Sequence, residues 1–196
     1  MASSQGFWTS AQQTDPKRNF RFLVTLGSMP DGATWYAKTA KKPSFEIKSA
    51  THEFLNHTFH YPGRLTWNEV EVVLVDPVSP DAAANLSRII YEAGYHPPAN
   101  VNDVTTMSKQ KAVASLQTVV IAQIDSEGVP VETWTLNNAF IVAVTYGELD
   151  YSKDELSTVT IKFRYDWASL ETAYQSETGP LGTAPRSRFW MPGQNS

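Results

Sequence analysis

The sequence predicts a mainly β protein: an antiparallel barrel or sandwich with one flanking α-helix at about 79–93 and extended arms at both ends. Three observations lead there. Several segments alternate apolar and polar residues with period two, which gives a strand one dry and one wet face. Only one segment has a capped apolar stripe at helical spacing. Short Gly-, Asp- and Asn-containing breaks separate the alternating runs, as hairpin connections require.

In chain order, residues 1–18 are polar and small, are broken by Pro16, and read as an arm. In "NFRFLVTLG", Phe20, Phe22, Val24 and Leu26 share one parity and make a first strand. "SMPDGA" supplies a turn and "TWYAKTA" a second extended segment. Residues 41–64 read as a strand, an exposed loop or open hairpin, and a returning strand. "LTWNEVEVVLVDP" continues as a strand, with Val70, Val72 and Leu74 on one face and Trp67, Glu69 and Glu71 on the other.

The helix follows in "VSPDAAANLSRIIYEAGYHPP". Ser79 is placed as N-cap, Pro80 in the first turn, and Asp81 against the helix dipole. Leu86, Ile89, Ile90 and Ala93 form the stripe, and Gly94 with Pro97-Pro98 stops it. "NVNDVTTMSKQKA" reads as a polar connection. A run of strands then follows, turning at "DSEG", near Asn137-Asn138 and through "GELDYSKDEL". The last strand is the most regular. Val159, Ile161, Phe163, Tyr165 and Trp167 alternate with Thr158, Thr160, Lys162, Arg164 and Asp166. Beyond 170 the chain is polar and rich in Pro and Gly, so the core domain is set at 19–170 and a C-terminal arm at 171–196.

Composition excludes several classes. A chain of 196 residues holds one domain with a real core. A net charge of −4 lacks the basic footprint that grips nucleic-acid phosphates. With no cysteine there is no disulfide framework, thiolate metal site or thiol nucleophile. No basic-then-apolar leader and no membrane-length apolar run is present, which points to a cytoplasm or an assembly made there.

Catalytic motifs are missing too. Neither a phosphate-binding glycine loop nor a G-x-S-x-G elbow occurs. His52, His57 and His60 cluster beside Glu53, but in extended chain their side chains diverge, so no metal site is assigned. Asp166, and the acidic group Glu148, Asp150, Asp154 and Glu155, read as solvated turns rather than acid–base pairs. No catalytic residue and no cofactor is expected. Phe7, Trp8, Phe189 and Trp190 stand out because they sit in polar arms with no local core. They read either as anchors that dock on another surface or as tails that never order.

The order of these features resembles the tail tube proteins of contractile-tailed bacteriophages, a fold shared with tubes of type VI secretion and related injection systems. Four stretches carry the resemblance. These are "NFRFLVTLG" with "WYAKTAKKPSFEIKSATHEFLNHTFHYPGRLTWNEVEVVLVDPV", the helix of "DPVSPDAAANLSRII", the hairpin from "LQTVVIAQ" onward, and the closing "FRYDWA". They span about 19–170; the longer ends and residues 99–114 depart from the pattern.

The resemblance implies a non-enzymatic subunit whose hexameric rings join sheets edge to edge and stack into a hollow tube inside a contractile sheath. It implies partners in other copies of the chain, the sheath, the baseplate, the tail-terminator and the tape measure protein. DNA would pass the lumen without specific contacts, and no membrane is involved. The place is a virion tail, assembled in the bacterial host cytoplasm. An inter-ring loop would comprise Ser49, Thr51, His52, Glu53, Phe54, Leu55, Asn56, His57, Phe59 and Tyr61. Lumen or ring-contact candidates are Glu69, Glu71, Thr158, Thr160, Lys162 and Arg164. Alternatives are an injection-system tube, a tube initiator or terminator, and a small β-barrel hydrolase or binding module using the histidines.

Overall fold

The computed structural model describes residues 16–27, 37–98 and 106–172, and the backbone of Ser187–Phe189. Strands β1 (Phe22–Leu26), β6 (Val119–Ile124), β7 (Pro130–Asn137), β10 (Trp167–Thr172) and β11 (Ser187–Phe189) form one antiparallel sheet in the order β1-β6-β7-β10-β11. Strands β2 (Ala37–Ala40), β5 (Val70–Val75), β9 (Thr158–Arg164) and β8 (Phe140–Tyr146) form a second, ordered β2-β5-β9-β8. Among the described residues, strands β3 (Phe45–Phe54) and β4 (His57–Trp67) pair only with each other. The helices are α1 (Ala82–Glu92) and α2 (Lys109–Leu116).

The predicted parity builds the core. Val24, Leu26, Val119, Ile121 and Leu136 from the five-stranded sheet meet Val70, Val72, Leu74, Val159, Ile161 and Phe163 from the four-stranded one. Leu86 and Ile89 of α1 and Leu116 of α2 close the cluster. Each of these large side chains contributes about 1.5–3 kcal/mol by leaving water.

Five expectations change. The helix starts at Ala82, not 79, and its N-cap is Asp81, whose carboxylate accepts from Ala84 N at 2.9 Å. The stop is as expected. Gly94 has φ +107°, and the bonds Gly94 N to Tyr91 O and Tyr95 N to Ile90 O make a Schellman end. Second, the polar connection contains α2, capped by Ser108, whose hydroxyl accepts from Lys111 N. Its Ala112, Ser115 and Leu116 are buried, a stripe too short to register as a period.

Third, the strand through 65–77 breaks at Asn68, whose N–H donates to Ser44 O at 2.8 Å. The break returns Trp67 to the core side, where it packs on Tyr165 with ring centroids 5.8 Å apart. Burial pushes the Tyr165 hydroxyl up to about 12. Fourth, the last strand is two strands in different sheets, β9 and β10, with Asp166 N bonded to Asn137 O at the corner. β10 also runs on to Thr172. Fifth, the Asn137-Asn138 turn is a corner between sheets, because β7 pairs with β6 and β10 while β8 pairs with β9. Asn138 has φ +55° there, a value asparagine tolerates.

Candidate functional site

The six lumen or ring-contact candidates come together on the outer face of the four-stranded sheet. Val70, Val72 and Leu74 point into the core, so Glu71 and Val73 point away from it. Register then sets the rows. Glu71 lies opposite Lys162, which lies opposite Ala143; Val73 lies opposite Thr160, which lies opposite Thr145. Thr158 stands opposite Val75. Lys162 Nζ lies 3.6 Å from Glu71 Oε2, and Arg164 Nη2 donates to Glu69 Oε1 at 2.7 Å. Exposed pairs of this kind add at most about 1 kcal/mol each. Their larger consequence is electrostatic: Lys162 and Arg164 each have a carboxylate beside them. Thr160 and Thr158 continue the same face of β9, and the β2 edge adds the exposed Lys38 and Thr39, with Lys41 just beyond it.

Asp166, weighed above as an acid–base group, is a clamp. Lys109 Nζ reaches both of its oxygens at 2.7 Å and Asn138 Nδ2 donates at 2.8 Å. The lysine, then the asparagine, hold its carboxyl below the usual value. It therefore ties α2 to the corner between the sheets.

The inter-ring candidates form the distal half of the β3–β4 hairpin, and every residue of β3 is exposed. At its base Phe45 packs edge-on against Trp67 at 5.2 Å. Register advances by two residues on β3 from Ile47 to Ser49 while β4 spends three from Leu65 to Pro62, which makes a bulge in β4. Gly63 is required there, since an added Cβ would lie 2.7 Å from Lys48 O. Beyond the bulge Phe54 pairs with His57, His52 with Phe59, and Ala50 with Tyr61. These six share one face; Ser49, Thr51, Glu53, Thr58 and His60 share the other. Leu55 sits at the tip with φ +51° and 87% exposure. Leucine rarely adopts that backbone.

The histidines therefore divide, with His52 and His57 on one face and His60 on the other. Among the described residues no three His, Asp or Glu side chains are grouped to hold a metal. Of the arm candidates, Phe7, Trp8 and Trp190 lie outside the described residues. Phe189 lies in β11, its backbone opposite Leu170.

One centre escaped the sequence. Glu132 on β7 lies opposite Gln123 on β6, facing inward at one end of the core. Its carboxylate binds Lys17, Lys42 Nζ at 2.7 Å and Trp134 Nε1 at 2.7 Å. Gln123 accepts from Lys42 and donates to Arg18 O at 3.1 Å. Burial raises the pKa of Glu132, but the two lysines and the indole outweigh it, bringing it to about 2. Its parity with Trp134 and Leu136 was the signal available; the lysines, 115 and 90 residues away in sequence, left none.

Solved structures share this architecture. A chain of an extracellular contractile injection system, the PVC sheath–tube complex in its extended state, matches with TM-score 0.60 at 16% identity, over 84% of this chain and 99% of that one. A chain of the PVC sheath/tube terminator matches with TM-score 0.60 at 14% identity, over 80% and 97%. A chain of the anti-feeding prophage baseplate matches with TM-score 0.58 at 16% identity, over 80% and 96%. The chain has the tail-tube fold. No protein-family model matches it, and no curated protein matches its sequence. These neighbours come from a sheath–tube complex, a sheath/tube terminator and a prophage baseplate.

Proposed function

We propose that this chain is the tube subunit of a contractile bacteriophage tail. Its rings are hexamers, they stack into a hollow conduit inside the sheath, and the genome leaves through the bore. The observation that carries this reading is the tail-tube fold, shared with parts of assembled sheath–tube machines. The outer face of the four-stranded sheet lines the bore. On this wall Lys162 is paired with Glu71 and Arg164 with Glu69, which leaves fewer free cations to bind phosphates. DNA then slides without being held. The tube's other contacts are with sheath, baseplate, tail-terminator and tape measure proteins.

Purified protein imaged by negative stain should show rings or tubes with six-fold symmetry. A strictly monomeric species at high concentration would refute the reading. A second reading, an injection-system tube that carries protein, has the PVC and anti-feeding prophage likenesses in its favour. Nuclease-protected DNA in particles built from this subunit separates the two, since only a phage tail is joined to a filled capsid.

A further inference from the structure

Two apolar projections lie at opposite ends of the four-stranded sheet. β5 and β9 run antiparallel, with Val70 opposite Phe163 at one end and Val75 opposite Thr158 at the other. The β3–β4 hairpin leaves from the first end, where Asn68 bonds Ser44 and Trp67 packs on Tyr165. Residues 147–157 leave from the second, where Gly147 N donates to Thr158 O and Asp76 N to Ser157 O. That connection holds Leu149, 88% exposed, Leu156, 73% exposed, and Tyr151 along a cleft of about 740 Å³.

We infer that the distal hairpin face of one copy, carrying His52, Phe54, His57, Phe59 and Tyr61, seats on Leu149, Tyr151 and Leu156 of a copy in the next ring. The inference rests on the tube reading above and adds the receptor surface to it. Three observations select a second copy as occupant and this surface as its seat. The two patches are both rich in exposed apolar side chains, which soluble surfaces seldom keep contiguous without a partner. They are different patches at opposite ends of one subunit, so joining them is head-to-tail and repeats without closing, as a stack requires.

Charge decides the third point. The connection carries Glu148, Asp150, Asp154 and Glu155 against Lys153 alone. The Ser152 backbone N–H and hydroxyl hold the Asp150 carboxyl below its usual value. Two such connections facing each other would set carboxylates against carboxylates. The hairpin instead balances Lys48 and Arg64 against Glu46 and Glu53 and adds three histidines. Opposite-end docking therefore avoids a repulsion that like-to-like docking incurs.

The full chain has no cysteine, so introduced thiols report without background. Asn56→Cys with Ser152→Cys, assembled and then oxidised, should give a ladder of covalent multimers on a non-reducing gel. Either single variant should give no species above a dimer. Leu149→Asp with Tyr151→Asp should yield rings that do not lengthen into tubes. Tubes of wild-type length from the aspartate variant, or tubes of the cysteine variant without a ladder, overturn the inference and leave the tube reading intact. If the wild-type chain forms neither rings nor tubes, the tube reading falls and this inference with it.

Discussion

Replacing Glu132 by Gln keeps the shape of the side chain and removes its charge from the end of the core. The carboxylate is 10% exposed, while Lys17 and Lys42 are nearly half exposed. Its pKa falls from the usual 4.5 to about 2 in the fold. At about 1.4 kcal/mol per unit, that depression corresponds to roughly 3 kcal/mol at neutral pH. Screening around the solvated lysines reduces it to about 2 kcal/mol. The sign follows from the depression. The stabilisation is complete above 4.5, where the unfolded carboxyl is ionised, and is lost as pH falls toward about 2. Urea titrations followed by tryptophan fluorescence should show Glu132→Gln less stable than wild type by about 2 kcal/mol at pH 7. At pH 3 the gap should narrow to less than about 1 kcal/mol. An equal gap at both pH values would mean that Glu132 acts through shape or hydrogen bonding alone, and the electrostatic argument would fail.

Three further outcomes are expected. Phe163→Ala empties a fully buried site between the sheets and should cost about 3–5 kcal/mol by chemical denaturation; a loss under about 1 kcal/mol would contradict the core described here. Gly94→Ala should cost more than Gly128→Ala. Both have positive φ, but an added Cβ at Gly94 meets Thr106 O at 2.9 Å while at Gly128 it meets nothing within 4 Å; matching melting points would show that backbone strain alone matters. Glu69→Lys with Glu71→Lys unpairs the cations of the proposed bore wall. Assembled tubes of that variant should retain DNA in a salt-dependent manner that wild-type tubes lack, and retention by neither would count against this face as the bore.

Much of the fold was legible because period-two alternation is a local signal. The parity of Val70, Val72 and Leu74, and of Val159, Ile161 and Phe163, identified the core side of both central strands. It failed where the chain changes sheets. Tyr165 keeps the predicted core side, but Asp166 N then turns to Asn137 O and sends β10 to the other sheet, where Ala168 and not Trp167 joins the core. Trp67 changes sides for the same reason, a break at Asn68 that alternation alone does not mark. α2 was illegible because eight residues with two alanines in the buried stripe or beside it give too weak a helical period. The six sheet-face candidates were found by alternation, whereas their pairing into two ion pairs needed register.

The same register bears on why such a chain would assemble. Among the described residues the four-stranded sheet ends in β2 on one side and β8 on the other. Open edges invite uncontrolled pairing, and proteins blunt them with short strands and bulges. Both devices are present. β2 is only four residues long, its register shifts between Ala37 and Thr39, and that of β8 shifts between Ile141 and Ala143. If rings join sheets edge to edge, β8 of one subunit would meet the β2 edge of its neighbour, and closure would leave no edge of this sheet exposed. The face that results is continuous from subunit to subunit. Its charge balance then matters more than in a monomer, since any unpaired lysine would be repeated around the bore at every ring. Lys162 with Glu71 and Arg164 with Glu69 are two cations that are already paired within each subunit.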